Sequence, residues 1–233
     1  MDKVWGRESY IEFLKDVAKY LTKDCDTNVV DKSFLSYISK DEDKLALFKE
    51  SLPKIKEELN QDLDFFMESD PAIYSREEVV CAYPGYKAIA CYRIAHILYE
   101  NDLRLCARII TELAHSITGI DIHPAANISS PFFIDHGTGI VIGETTIIES
   151  GVKLYQGVTL GALSLSNIEK IKNTKRHPTI KKNVTIYSCA SILGDVTIGE
   201  SSTIGANVFL TEDVASGMKV TIAKPILVIK EKK

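Results

Sequence analysis

A single aliphatic side chain returns every sixth residue along the C-terminal half of this chain, and few folds accept that period. Ile180, Ile186, Ile192, Ile198, Ile204 and Leu210 keep the step without a break, and Val184, Ala190, Val196, Ser202, Val208 and Val214 each follow four places later. An earlier, offset register runs through Ile142, Ile148, Leu154 and Leu160, with Thr146, Val152 and Val158 as companions. A helix repeats at 3.6 residues and a half-exposed strand at two. A step of six suits three short strands per coil, each sending one side chain inward, and hexapeptide repeats of this kind read as a β-helix.

The step fails between the two registers. From Gly161 to His177 the chain is polar and largely basic, with Lys170, Lys172, Lys175 and Arg176. Stacked coils have no room for an insertion, so it must leave as a loop, predicted over about residues 162–177. Loops of this sort are where binding residues concentrate. Before Gly119 the texture is helical. Ser9 is expected to cap a stretch with Tyr10, Phe13, Leu14, Val17 and Leu21 on one face. Ser51-Leu52-Pro53 is expected to start a second helix, carried on by Ile55, Leu59, Leu63 and Phe66. Ser75-Arg76-Glu77-Glu78 spells a capping box. Further helices are predicted near Tyr86–Tyr99 and Leu103–Ile117, parted at Asn101-Asp102 and ended by Gly119. The fold class is therefore α+β, with an α-helical bundle over 1–118, a parallel β-helix over 119–229 and a charged tail over 230–233.

Composition narrows the function classes. The net charge of −4 comes with no Lys/Arg stripe, which argues against nucleic acid as a partner. No secretory signal and no apolar run of membrane-spanning length is present, so a cytoplasmic protein is expected. Five scattered cysteines form no CxxC pair and are read as small buried hydrophobes. Repeats alone leave open an acyltransferase, a trimeric hydratase with zinc held by interfacial histidines, or a spacer without chemistry.

The polar residues decide among these. Of five histidines, His96 and His115 lie on predicted helices and are read as structural, and His123 precedes Pro124 in a turn. His136 differs, because it stands in Phe133-Ile134-Asp135-His136-Gly137-Thr138-Gly139, where glycines open the backbone and a carboxylate is adjacent. His177, after Arg176, closes the extruded loop. Zinc needs three well-placed ligands, and neither an H-x-x-x-H motif nor a cysteine partner supports His123, His136 and His177 in that role, so no metal is expected.

Four strings then stand in a telling order: Gly119-Ile120-Asp121-Ile122-His123-Pro124-Ala125-Ala126, Asp135-His136-Gly137-Thr138-Gly139-Ile140-Val141-Ile142-Gly143-Glu144-Thr145, Gly157-Val158-Thr159-Leu160-Gly161 and Arg176-His177-Pro178. In order and spacing they resemble the serine acetyltransferase family, and Asp70-Pro71-Ala72 with Ala88–His96 resembles its helical domain. The resemblance implies a left-handed parallel β-helix that transfers acetyl from acetyl-CoA to the hydroxyl of L-serine, giving O-acetyl-L-serine for cysteine biosynthesis. It implies His136 as general base with Asp121 as its partner. Asp70, Asp135, Arg176 and His177 would hold the amino acid. The site would lie between subunits of a homotrimer, with or without pairing of two trimers. The alternative is a hexapeptide-class, CoA-dependent acyltransferase acting on another hydroxyl or amine.

Those residue types suit that chemistry. A serine hydroxyl needs a base to take its proton as it attacks a thioester, and an imidazole, with a reference pKa near 6.5, performs such catalysis at about 10²- to 10⁴-fold. A carboxylate on the other ring nitrogen holds the tautomer and stabilises the imidazolium. Asp121, fifteen residues before His136, is expected to reach it from the neighbouring coil. Zwitterionic serine needs anions near its ammonium, for which Asp70 and Asp135 serve, and a fork-shaped cation near its carboxylate, for which Arg176 serves. That requires the helical half to fold back over the coil mouth. No serine or cysteine lies beside His136, and Cys189 is placed on the inward companion row, so direct attack is favoured over an acetyl-enzyme. Open backbone at Gly161-Ala162 and Gly205-Ala206 would accept the pantetheine arm, with Lys219 or Lys224 near the phosphates.

The chain also departs from the family pattern. Gly161 leads into Ala162-Leu163-Ser164 and a longer basic loop, and Ala223-Lys224-Pro225-Ile226 replaces the usual late turn. Family members that dock with O-acetylserine sulfhydrylase use a C-terminal isoleucine, whereas Lys230-Glu231-Lys232-Lys233 is charged, so a weak or absent complex is expected. A short N-terminal block favours a plain trimer. Feedback inhibition by L-cysteine is implied by the resemblance alone.

Overall fold

The computed structural model describes residues 7–22, 27–163 and 174–223. Within these, the helical half comprises α1 (Arg7–Thr22), α2 (Asn28–Ser33) running into a π-helical turn (Phe34–Ile38), α3 (Glu42–Ser69), α4 (Arg76–Ala82), α5 (Pro84–Glu100) and α6 (Arg104–Thr118). Three parallel sheets follow. The first stacks β1 (Asp121–Ile122), β4 (Val141–Ile142), β7 (Thr159–Gly161), β10 (Ser191–Leu193) and β13 (Phe209–Leu210). The second stacks β2 (Asn127–Ile128), β5 (Ile147–Ile148), β8 (Thr179–Ile180) and β11 (Thr197–Ile198). The third stacks β3 (Phe132–Asp135), β6 (Val152–Tyr155), β9 (Thr185–Ile186), β12 (Thr203–Ile204) and β14 (Lys219–Val220). Successive strands turn from one sheet to the next, forming a left-handed parallel β-helix of triangular section.

The pairing explains both breaks in the repeat. In a plain coil a strand pairs 18 residues on, as Ile142 does with Leu160, Ile180 with Ile198 and Ile192 with Leu210. At the first coil partners lie 20 residues apart, Ile122 with Ile142 and Ile134 with Leu154, because the corner containing His136 is longer. Across the extruded segment they lie 32 apart, Ile148 with Ile180 and Leu160 with Ile192. The two registers are therefore one continuous stack, which Ile122, Ile128 and Ile134 begin. The inward side chains and their companions from Ala126 to Val208 are buried, Ser202 and Thr146 included. Each buried aliphatic contributes about 1.5–3 kcal/mol. Ser202 belongs there because its Oγ donates to the Ala215 carbonyl (2.9 Å) and accepts from the Met218 amide (3.1 Å), closing the last coil.

Two helix starts differ from expectation. α1 is already helical at Arg7, so Ser9 lies within the helix and not at the non-helical cap position before it. α3 begins not at Ser51 but at Glu42, where Asp41 Oδ1 accepts from the amides of Asp43 (3.0 Å) and Lys44 (3.2 Å). Ser51 instead donates back to the Leu47 carbonyl. Pro53 sits within α3 on its exposed side, at a cost of about 3 kcal/mol. Burial of Phe48, Leu52 and Ile55 across that turn outweighs this cost, at about 1.5–3 kcal/mol each. Ser75 caps α4 as read, its Oγ accepting from the Glu78 amide, while Glu78 reaches back one residue further than a capping box requires, to the Tyr74 amide. Gly119, in a left-handed conformation (φ 71°), ends α6.

The helical half folds back onto the first coil through buried polar bolts. Asp62 of α3, fully buried, takes two hydrogen bonds from Arg93 of α5 (2.6 and 2.8 Å) and one from the Phe132 amide of β3 (2.9 Å). Arg93 also donates to the Ile128 carbonyl, and Tyr92 donates to the Ala126 carbonyl while accepting from the Ile128 amide. Gly85 lets α5 lie directly on β3, since a Cβ there would overlap the Ile134 carbonyl. Phe66 packs edge-on against Phe133, with centroids 4.7 Å apart.

The cysteines depart from their reading as buried hydrophobes. Cys81 and Cys189 are exposed and Cys91 and Cys106 only half-buried, while Cys25 lies outside the described residues. Cys189 does not point inward: its φ of 59° places it on a corner, and neighbouring Ala190 fills the core position. No helix among the described residues is long and apolar enough to cross a membrane.

Candidate active site

Two edges of the prism collect the chemistry, and both border the first sheet. At the edge where the third sheet turns into the first, β3 delivers Asp135 and His136. His136 has a positive φ of 54°, followed by Gly137 at 85° and Gly139 at 79°, a run that side chains other than glycine rarely accept. Its imidazole is 70% exposed, and Nδ1 lies 3.5 Å from Asp135 Oδ1. Asp70, the residue that ends α3, comes to the same edge. It opens no helix; its Oδ1 accepts from the Ala72 amide (2.8 Å) and its Oδ2 from the Tyr83 hydroxyl (2.9 Å). Burial first, and the Asp70 carboxylate second, push the Tyr83 hydroxyl up to about 12, so it stays protonated and keeps donating. Burial, then Tyr187, Asp135 and Asp70, raise the Tyr155 hydroxyl also. The edge thus gathers two carboxylates to which no guanidinium or ammonium among the described residues is paired, an environment suited to a ligand's ammonium.

At the edge between the first and second sheets, Arg176 and His177 return from the extruded segment onto the turn Gly143-Glu144-Thr145. Arg176 ion-pairs with Glu144, and Lys175 donates to the His177 carbonyl. Thr145 Oγ1 accepts from the amides of Arg176 (3.0 Å) and His177 (3.1 Å). The His177 ring is buried over Gly143, where any Cβ would overlap it. Burial first, then Arg176, lowers the His177 pKa to about 4. His123 lines the same edge; its Nδ1 accepts from the Ala125 amide, the turn role expected of it, and burial lowers its pKa too. His96 bonds the Pro124 carbonyl (2.7 Å) and His115 approaches Glu112 (3.5 Å).

Within one chain these edges do not meet. Asp121 does not reach His136, whose Nδ1 faces the Asp135 carboxylate instead. The reason is the longer first coil: Asp121 pairs with Val141, five residues beyond His136. Asp121 instead lies 3.9 Å from Arg108, which also ion-pairs with Glu112. Glu112, His115 and Asp121 approach one another within 4.8 Å, and Arg108 offsets their charge. Gly161 and Ala162 lie at the first–second edge, Gly205 and Ala206 at the third–first edge, and Lys219 is exposed in β14. Glycine at 161 and 205 is explained by packing, because the space for a Cβ is bounded by Leu193 and by Thr221 and Val220 of adjoining coils. Lys224 and most of the predicted loop, residues 164–173, lie outside the described residues.

Sequence reasoning passed over Gly143, Glu144 and Thr145 as site residues, and Tyr83 with them. Thr145 sits 32 residues from His177, and only the coil pairing across the extruded segment reveals their contact.

Known proteins agree with this arrangement. Residues 177–212 match the family described as bacterial transferase hexapeptide (six repeats). A plasmid serine acetyltransferase of Synechococcus elongatus is 49% identical over 76% of this chain, which spans only 56% of that relative's length. Serine acetyltransferase of Helicobacter pylori is 41% identical over 75% of the chain and 99% of its own. The crystal structure of serine acetyltransferase isoform 3 from Entamoeba histolytica, in complex with cysteine, superimposes with a TM-score of 0.83 at 34% identity, covering 95% of this chain and 84% of that one. With the helical half folded onto a hexapeptide coil and relatives matched well beyond the repeats, this chain belongs to the serine acetyltransferase family.

Proposed function

We propose that this chain transfers acetyl from acetyl-CoA to the hydroxyl of L-serine, yielding O-acetyl-L-serine and CoA in cysteine biosynthesis, within a cytoplasmic homotrimer whose sites are shared between neighbours. The observation that carries this reading is the separation of charge between two edges of one sheet: carboxylates with a base on one, a guanidinium with an imidazole on the other. A threefold arrangement brings one chain's third–first edge against the next chain's first–second edge, a heterologous contact that closes into a ring. The serine ammonium then lies at Asp70 and Asp135, and its carboxylate at Arg176 and His177.

In that frame His136 takes the hydroxyl proton as the oxygen attacks the thioester carbonyl. The tetrahedral intermediate collapses with loss of CoA thiolate, which receives the proton from the imidazolium. Asp121 of the neighbouring chain orients and stabilises that imidazolium. Acetyl-CoA follows the backbone at Gly161-Ala162 of one chain and Gly205-Ala206 of another, with Lys219 near its phosphates. Attack is direct: Cys189 is exposed on the same edge as His136, but no hydrogen bond among the described residues joins them. L-cysteine shares the zwitterion and would compete with serine, in keeping with the cysteine complex of the Entamoeba relative.

Two measurements test this. Thiol release from acetyl-CoA should occur with L-serine and not with L-homoserine, sugars or amines; turnover of another acceptor with none of serine would replace the reading by acylation of that acceptor. His136→Ala and Arg176→Ala variants should each be inactive, yet regain about a quarter of wild-type activity when refolded together in equal amounts, the fraction of interfaces that draw both intact residues from different chains. No recovery on mixing would place the site within one chain.

A further inference from the structure

The geometry points to Thr145 as the residue that sets the proton on His177, holding the ring neutral with its single hydrogen on Nε2 as a fixed donor to the bound amino acid. The inference rests on the α-amino-acid site proposed above, but its core follows from counting donors and lone pairs. The Thr145 backbone amide, which can only donate, lies 3.1 Å from His177 Nδ1, so Nδ1 must accept and carries no hydrogen. Thr145 Oγ1 lies 2.9 Å from the same Nδ1. Its two lone pairs are engaged by the amides of Arg176 and His177, so its one hydrogen is left for Nδ1. Two donors therefore converge on one ring nitrogen, and protonating that nitrogen would break both bonds.

The surroundings act in the same direction. Among the described residues, the charged and titratable groups around the ring are Arg176 and Lys175 on its own segment, Glu144 on the turn below and His123 on the turn of the preceding coil. Among these groups cations outnumber the carboxylate of Glu144, which also answers to Arg176. Burial and these cations hold the ring well below the ordinary histidine range. Nε2 makes no hydrogen bond among the described residues, and Gly143 gives the ring its place. A neutral imidazole with hydrogen only on Nε2 can donate there and cannot accept. Its ligand must present an oxygen lone pair, which places the carboxylate of the substrate, and not its ammonium, against this edge. His177 is thus a directional neutral donor beside the cation Arg176, and Thr145 is a positioning residue acting through it.

The tautomer can be read directly. In full-length protein labelled with ¹⁵N in the histidine rings, the His177 resonances are identified by their loss in His177→Gln. They should show a pyridine-type Nδ1 and a protonated Nε2, unchanged from about pH 8 to about pH 5.5, a range across which an ordinary imidazole becomes charged. An imidazolium near pH 6, or hydrogen on Nδ1, overturns the proposal, whatever acceptor the enzyme uses. Thr145→Val keeps the amide but removes the hydroxyl: it should let His177 titrate closer to the ordinary range and raise KM for serine about tenfold, with KM for acetyl-CoA within about twofold of wild type. Thr145→Ser should restore both properties. If Thr145→Val changes neither the ring signals nor KM for serine, the hydroxyl does not set the proton. If that variant fails to fold, the wild-type spectrum decides.

Discussion

The two edges of the first sheet present opposite kinds of readiness. At the third–first edge His136 stands mostly in solvent on a left-handed corner, held by one carboxylate at 3.5 Å. At the first–second edge His177 is buried, with its Nδ1 taken by Thr145 and its backbone by Thr145 and Lys175. On the proposed reading, one imidazole is left open for proton transfer and the other is locked as a binding group. A base must gain and lose a proton in each turnover, whereas a recognition group works best when its proton is already placed.

Breaking the open edge should have the largest effect. His136→Ala should lower kcat by about 10²- to 10⁴-fold with the coil's melting behaviour intact; near-normal turnover would remove His136 from the chemistry. Next comes the support of that edge. Asp62→Ala takes from buried Arg93 its two-point carboxylate partner and leaves only the partly exposed Glu58 at 3.3 Å and the Ile128 carbonyl, at a cost of about 3–5 kcal/mol in denaturant unfolding. Because Asp62 bolts α3 to β3, the surviving folded protein should also bind serine poorly through a displaced Asp70. Normal serine affinity in that variant would detach Asp70 from the site.

The locked edge should respond more gently. Gly143→Ala forces the His177 ring out of its place, and a rise of about tenfold in KM for serine with little change in kcat is expected from the loss of one oriented hydrogen bond. An unchanged KM would show the ring plays no part in binding. The smallest effect concerns pH. His177 titrates near 4 when folded and near 6.5 when unfolded, so between those values the unfolded chain binds a proton that the folded chain does not. Stability should fall as pH drops through that window and His177 should add no further slope below it. Thermal melts from about pH 7 to about pH 4.5 should therefore be less acid-sensitive in His177→Gln than in wild type.

Much of this was legible beforehand because it is local. The six-residue step, the Ser75 cap and the Gly119 stop each depend on neighbours a few places away. Misreadings came where distant burial outweighed a local signal. Ser51-Leu52-Pro53 resembles a helix start, yet the buried faces of Phe48, Leu52 and Ile55 carry α3 straight through the proline. Cys189 was counted as inward although the repeat itself assigns the companion row to its neighbour Ala190, which holds the core position. Asp121 was matched to His136 by a spacing near one coil, but the corner at His136 makes the first coil two residues longer.

The sequence by itself determined the stacked coil and the helical half and singled out His136, Asp135, Arg176 and His177 as candidates, since periodicity and residue chemistry are properties of the string. Tertiary structure decided which of them share an edge. The extruded segment brings Arg176 and His177 back onto Thr145, 32 residues distant in pairing register, and buried Asp62, bonded to Arg93 and to the Phe132 amide, holds α3 against β3, the elements next to Asp70 and Asp135. Proximity across a stacked coil depends on the summed length of every turn between two residues, and a proton's place on a ring depends on which donors face it. Neither quantity is written at any single position of the chain.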